Sequence, residues 1–217
     1  MIRILFQFPN AIQRLYKGVV WRIKPDRKTD KKVIYLTFDD GCIPEVTPQV
    51  LNILKKYDVK ATFFCVGDNI RKYPEIYRRI LSEGHQTGNH TYHHIAGLQT
   101  STADYLKDVA MTDSIMEEAS QIPSRHLFRP PYGRMRYSQK KALLKTHKIV
   151  LWDLLTHDYN KRYSPEKIMR VIKRYSRNGS IVVFHDSLKA CEQMLPTLPK
   201  AIEFWQNEGY QLSVISL

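Results

Sequence analysis

The sequence predicts an α/β fold in which a parallel sheet is covered by helices on its outer face. Three observations predict it. Seven short runs rich in β-branched and aromatic residues recur along the chain, helix-patterned segments separate them, and reactive polar residues collect just after the apolar runs. Parallel neighbours need long crossovers, which such helices supply.

The first strand is "VIYLTF", entered through the basic, turn-prone "KPDRKTDKK". "PEVTPQVLNILKKYDV" follows with Val46, Val50, Leu51 and Leu54 at helical spacing, which gives it one apolar stripe. "ATFFCV" is the second strand, and "YPEIYRRILSEG" is a helix that Pro74 opens and Gly84 stops. A short strand at "HQTGNH" precedes an amphipathic helix from about Thr102 to Ser120, and a fourth strand runs into "HLFRPPYG". The alternation continues with a helix near "SQKKALLKT", the strand "KIVLWDL", the helix "SPEKIMRVIKRYS" and the buried strand "SIVVFHD". A helix near "LPTLPKAIEFWQNEG" and a last strand, "YQLSVISL", complete it.

At 217 residues, 43% hydrophobic and 25% charged, the chain is long and apolar enough for one sizeable core and too apolar for a disordered segment. No repeat or long linker divides it, so a lead segment, 1–31, is expected to pack on or flank one domain, 32–217. The 34 Lys and Arg against 21 Asp and Glu give a net charge of +13. These bases are spread over expected helix surfaces without a nucleic-acid motif, so a solvated basic surface is expected and no nucleic-acid partner. Cys42, Cys65 and Cys191 form no CxxC pair, which points to reduced thiols and a cytoplasmic setting. The lead "MIRILFQFPNAIQRLYKGVVWRIK" meets Pro9 early and carries Arg14 and Lys17, too broken for a signal core or a membrane span. Peripheral membrane contact by this segment is the alternative to packing on the domain.

Polar residues follow five of the strands, in "TFDDG", "GNHTYHH", "FRPPYG", "LWDLLTHDY" and "VVFHD". In α/β barrels the loops at the C-terminal ends of the strands build the active site, so five distant segments are expected to converge. His90 and His94, four apart, put two imidazoles on one side of a helical turn and suit a divalent metal. Two imidazoles leave such an ion needing a third ligand, and an aspartate at a neighbouring strand end is the natural donor. Each residue also has a plain structural reading: Asp39 and Asp40 as turn carboxylates, Arg129 as a surface ion-pair partner, "PPY" as a rigid loop, His185 as a hydrogen-bonded core histidine. Their joint placement favours chemistry.

"TFDDG", "HTYHH", "RPPY", the segment around Asp158 and "VVFHD" occur in the order and approximate spacing of the polysaccharide deacetylase family, carbohydrate esterase family 4, which the chain resembles over roughly residues 32 to 215. That family includes chitooligosaccharide and peptidoglycan N-deacetylases. The resemblance implies a distorted seven-stranded (β/α) barrel holding one divalent metal ion, usually zinc, with cobalt or nickel as alternatives. It assigns Asp40, His90 and His94 as metal ligands, Asp39 as general base and His185 as general acid. Arg129 is then expected to hold Asp39, Asp158 to orient His185, and the Tyr132 backbone N–H beside Pro131 to help bind the oxyanion. His93, between the ligands, receives no role. The implied reaction is hydrolysis of the N-acetyl group of amino sugars in an oligo- or polysaccharide.

The chain departs from the family pattern in five places. Cys42 stands where proline is common, Leu155 where the fourth motif has its first aspartate, and Tyr159 where that motif has tryptophan. Val183 replaces the leucine expected to line the acetyl pocket, and Asp153 stands where a small residue is usual. Tyr159 changes the wall on which a sugar stacks, and with it the expected substrate preference. Two other readings compete: hydrolysis of a small cyclic amide or ureide in a closed pocket, and a catalytically silent protein that binds carbohydrate or nucleic acid.

Overall fold

The computed structural model describes residues 6, 7, 13, 16–24, 31–121 and 126–217. Most of the lead segment, including its apolar start and the turn-prone stretch 25–30, lies outside the described residues. The sheet comprises β1 (Val19–Val20), β2 (Lys32–Asp39), β3 (Thr62–Cys65), β4 (Gln86–Asn89), β5 (Leu127–Phe128), β6 (Lys148–Val150), β7 (Leu154–Leu155), β8 (Ile181–His185) and β9 (Tyr210–Ser213). Its order is β1-β6-β5-β4-β3-β2-β8-β7, and every strand pairing is parallel. β9 pairs with Lys32–Tyr35 of β2, on the edge that β3 takes further along.

All seven expected strands are present, and two strand segments were not foreseen. Val19–Val20 of the lead segment adds β1 beside β6. The run "KIVLWDL" is split, because residues 151–153 leave the β6 side and join β8. Leu151 N–H donates to Val20 O at 2.8 Å and Asp153 N–H to Ile181 O at 3.0 Å, so this crossing draws the ends of the curled sheet together.

Helices cover the outer face: α1 (Thr47–Lys56), α2 (Gly67–Lys72), α3 (Pro74–Ser82), α4 (Thr102–Ser120), α5 (Tyr137–Leu143), α6 (Pro165–Tyr175) and α7 (Cys191–Asn207). Alternation along the strands sorts the side chains. Ile34, Leu36 and Phe38 of β2, Phe63 of β3 and Val182 and Phe184 of β8 join the helices in the large outer core. Phe64, Ile181 and Val183 belong instead to a second cluster with Val150, Leu151, Trp152 and Ile215. Thr37, Asp39 and His185 share that second face by the same alternation, which carries reactive groups into the barrel.

Asp153 is fully buried away from the reactive residues, where it extends a polar network. It accepts from Arg177 Nε at 2.9 Å, from Arg177 Nη2, from Ser180 Oγ at 2.7 Å and from Gln7 Nε2 at 3.2 Å. Next to it Gly179, at φ +84°, accepts the N–H of Ile23 at 3.0 Å; a Cβ there would lie 1.9 Å from Ile23 O. Gly179→Ala should therefore destabilise the fold by at least about 1–2 kcal/mol and loosen residues 21–23, read by thermal melting and amide exchange. Unchanged melting would remove this contact from the account of how the lead segment is held.

Candidate active site

Asp39 ends β2 on the inner face, 3% exposed, and would be an unsupported buried charge without a partner. Arg129, 0% exposed, supplies that partner through Nη1–Oδ1 at 2.6 Å. The guanidinium is held on all sides. Nη1 also donates to Thr37 Oγ1 at 2.8 Å, Nε to Val150 O at 3.3 Å and Nη2 to Leu151 O at 3.0 Å, and the group lies 4.0 Å over the Phe64 ring. Burial pushes its pKa down, and the Asp39 charge works against that shift.

Past the strand end the chain turns sharply at Asp40, φ 84°. Three contacts fix the turn. Asn69 Nδ2 donates to Asp40 O at 2.8 Å, Gly41 N–H donates to Asp186 Oδ1 at 3.0 Å, and Thr47 Oγ1 donates to Asp186 Oδ2 at 2.6 Å. A Cβ on Gly41 would sit 2.3 Å from that carboxylate, so only glycine fits. Burial raises the Asp186 pKa to about 7, with the Asp40 charge adding to it and the Thr47 hydrogen bond opposing it. Asp186 escaped sequence reasoning although it follows His185 directly; a buried carboxylate beside a candidate acid was the available signal.

Asp40 Oδ1 lies 3.7 Å from His90 Nε2 and 3.3 Å from His94 Nε2, and the ligand atoms of the three residues fall within 4.8 Å of one another. Donors about 2.0–2.1 Å from a tetrahedral ion stand about 3.4 Å apart, so the set fits a zinc-class cation. His90 Nδ1 lies 2.8 Å from Arg129 O, which places the N–H on Nδ1 and leaves Nε2 its lone pair. Burial lowers the His90 pKa to about 4, so the ring is neutral as a ligand must be. Burial works to raise the Asp40 pKa, but the His94 hydrogen bond and the neighbouring imidazoles outweigh it and hold the carboxyl well below the usual range.

The expected helical turn is absent here. Residues 90–94 form a loop in which Thr91 (φ 63°) and His94 (φ 53°) are left-handed, so backbone reversal brings the rings together. Side chains hold that conformation. Asn89 Oδ1 accepts from Thr91 N–H at 2.8 Å, while Asp108 accepts from the N–H groups of Tyr92 (2.6 Å) and His93 (3.1 Å). His93 faces away from the ligands, with Nδ1 2.6 Å from Asp108 Oδ2, and anchors the loop.

His185 ends β8 with Nδ1 2.8 Å from Asp158 Oδ1 and its backbone N–H donating to Asp158 Oδ2 at 2.7 Å. Asp158 is fully buried and spends both oxygens on this one residue. Burial alone would lower the His185 pKa; the Asp158 carboxylate outweighs it, Asp40 and Asp39 add to the effect, and the value rises to about 9.

Asp39, Asp40, His90, His94, Tyr132, Tyr159 and His185 all line one open cavity of about 890 Å³, a size suited to a ligand rather than a packing defect. The Tyr132 ring, 63% exposed, meets His94 edge-on at 4.9 Å, and the Tyr159 ring meets His185 the same way at 4.9 Å. Tyr132 has φ 60° inside the one-turn 3-10 helix Pro131–Gly133, where the first amides have no partner within the helix. Arg129 and Asp158 are buried and do not line the cavity, and Pro131 is buried as well. Val183 is also buried and does not line the cavity; its register partner Leu155 does. Trp152 contributes aromatic wall that sequence reasoning passed over, since it sits in an apolar strand run. Its ring lies so close to Gly133 that an added Cβ would be 2.4 Å from Cη2.

A parallel curled sheet that gathers an Asp-His-His set able to hold a metal ion, an arginine-held carboxylate and an aspartate-held imidazole at one end has the layout of a metal-dependent hydrolase. Residues 26–150 match the family described as polysaccharide deacetylase, and the chain belongs to that family. It is 34% identical over 187 residues to the peptidoglycan-N-acetylmuramic acid deacetylase PdaC of Bacillus subtilis, covering 86% of this chain and 38% of that protein's length. The solved Bc1960 peptidoglycan N-acetylglucosamine deacetylase superposes with a TM-score of 0.86 at 30% identity, covering 96% of this chain and 95% of its own. BA3943 of Bacillus anthracis, described as a CE4 family pseudoenzyme, superposes with a TM-score of 0.78 at 28% identity, covering 90% of this chain and 66% of its own. Fold similarity thus extends to a pseudoenzyme, and the residues in the site must decide whether this chain is active.

Proposed function

We propose that this chain removes N-acetyl groups from the amino sugars of a peptidoglycan-type glycan, using a divalent ion of the zinc class held by Asp40, His90 and His94. The observation that carries this reading is the paired support of Asp39 by Arg129 and of His185 by Asp158, both facing the ligand set. A silent binding protein has no use for either pair.

A cation in the site supplies Lewis-acid polarisation of the acetyl carbonyl and lowers the pKa of the attacking water. Asp39, with Oδ1 committed to Arg129, takes the water's proton on Oδ2. His185 has Nδ1 committed to Asp158, so Nε2 carries the proton that the departing amine nitrogen requires. The Tyr132 amide offers a donor to the developing oxyanion. Trp152, Tyr159 and Leu155 form the apolar wall, while Arg134 and Lys189 line the cavity with cations suited to the carboxylates of lactyl groups or peptide stems. The mouth is open and bears exposed Tyr132 and Leu98, which suits a polymer; hydrolysis of a small cyclic amide calls for an enclosed pocket.

The test is acetate release from peptidoglycan fragments, chitooligosaccharides and simple acetamido sugars by protein reconstituted with zinc, cobalt or nickel. No release from any of them would sink the proposal. The His185 pKa also fixes a pH response. Its imidazolium is present below about 9 and lost above, so kcat/KM should descend at or below that pH, by about tenfold per unit. Asp158→Asn removes the charge that raises the value, so the descending limb should move to lower pH. A limb that stays in place in this variant would remove His185 as the acid.

A further inference from the structure

We propose that Asp113, His126 and His147 form a second divalent transition-metal site, separate from Asp40, His90 and His94. Among the described residues these are the two sets whose ligand atoms all lie within 4.8 Å of one another. Topology creates the second set. Leu127 of β5 is in register with Lys148 of β6, so the residues before them, His126 and His147, stand side by side with ring centroids 5.5 Å apart. Helix α4 brings Asp113 Oδ2 to 3.0 Å from His147 Nε2.

Two of the three donors are oriented by partners of their own, as in established metal sites. His147 Nδ1 lies 2.8 Å from Thr146 Oγ1, and the other oxygen of Asp113 accepts from Asn89 Nδ2 at 2.8 Å. A Thr146 hydroxyl that accepts from Nδ1–H leaves the Nε2 lone pair beside the carboxylate. His147 is buried and Asp113 only partly so, while His126 is exposed at the rim, which leaves a route for an ion and open positions for water. Two imidazoles with one carboxylate select zinc, cobalt, nickel or copper over magnesium or calcium, whose sites are built from oxygen.

The experiment uses the full chain stripped with a chelator and titrated with Co²⁺, followed by d–d absorption, with bound Zn²⁺ counted by elemental analysis after dialysis. The wild type should bind two equivalents, and His90→Ala/His94→Ala should retain one. His126→Ala, at an exposed position, should weaken the second equivalent at least about tenfold while leaving the first. Asp113→Asn, which keeps an acceptor for Asn89, should do the same with an unchanged far-UV spectrum. A wild-type stoichiometry of one, a His90→Ala/His94→Ala variant that binds none, or a second equivalent indifferent to both His126→Ala and Asp113→Asn overturns the proposal and leaves Asp113–His147 as an ordinary ion pair.

Discussion

Asp39→Asn is expected to lower kcat for acetate release by about 10²–10⁴-fold, the range that a positioned general base supplies, with tight metal binding retained. The separation of the two effects follows from the turn at the end of β2. Asp39 points into the barrel and ends on Arg129, whereas Asp40 leaves the strand at φ 84° and meets His90 and His94. An amide at position 39 can still face the guanidinium but cannot take a proton from water. Full activity in the variant would remove Asp39 as the base, and loss of the metal would show that the two carboxylates share ligand duty. Metal stoichiometry and kcat measured on the same sample decide between these outcomes.

Arg129→Met carries the largest expected cost in stability, about 3–5 kcal/mol, because it strands the buried Asp39 carboxylate. In a chain of this size that lowers Tm by about 10 °C. The carbonyls of Val150 and Leu151 and the hydroxyl of Thr37 lose a donor in the same step. The double variant Asp39→Asn/Arg129→Met should regain part of the loss, since no unpaired charge then remains, and the recovery measures the pair apart from the carbonyl contacts. A single variant that melts within about 2 °C of the wild type would show the buried pair to be dispensable for the fold.

The elements that reached the sequence reading most clearly are those whose patterns are local. β2, β3 and β8 are apolar runs long enough to be recognised, and the residues closing them, Asp39 and His185, are polar where the runs stop. β1 was missed because two valines in a basic lead carry no periodicity, and their strand character comes only from pairing with β6. Spacing alone could not distinguish a helical turn at 90–94 from a left-handed loop, since i and i+4 converge in either; the loop is set by the adjacent Asn89 and by Asp108, a distant side chain with no motif. Trp152 hid in an apolar run, and Asp113, His126 and His147 are scattered, so only the adjacency of β5 and β6 together with the placement of α4 assembles them. Val183 was placed in the pocket by analogy with a leucine, but its inner-face neighbours close over it and Leu155 takes the surface.

The hydrogen bonds around the Asp40, His90 and His94 loops have a consequence for maturation. Asp186, Asn69, Asn89, Asp108 and the Arg129 carbonyl fix both loops through protein groups alone. Small metal domains that fold only when their ion arrives tie loading to synthesis. Here protein groups brace both loops, so chelating a bound ion should leave the fold in place and the stripped chain should reload without refolding.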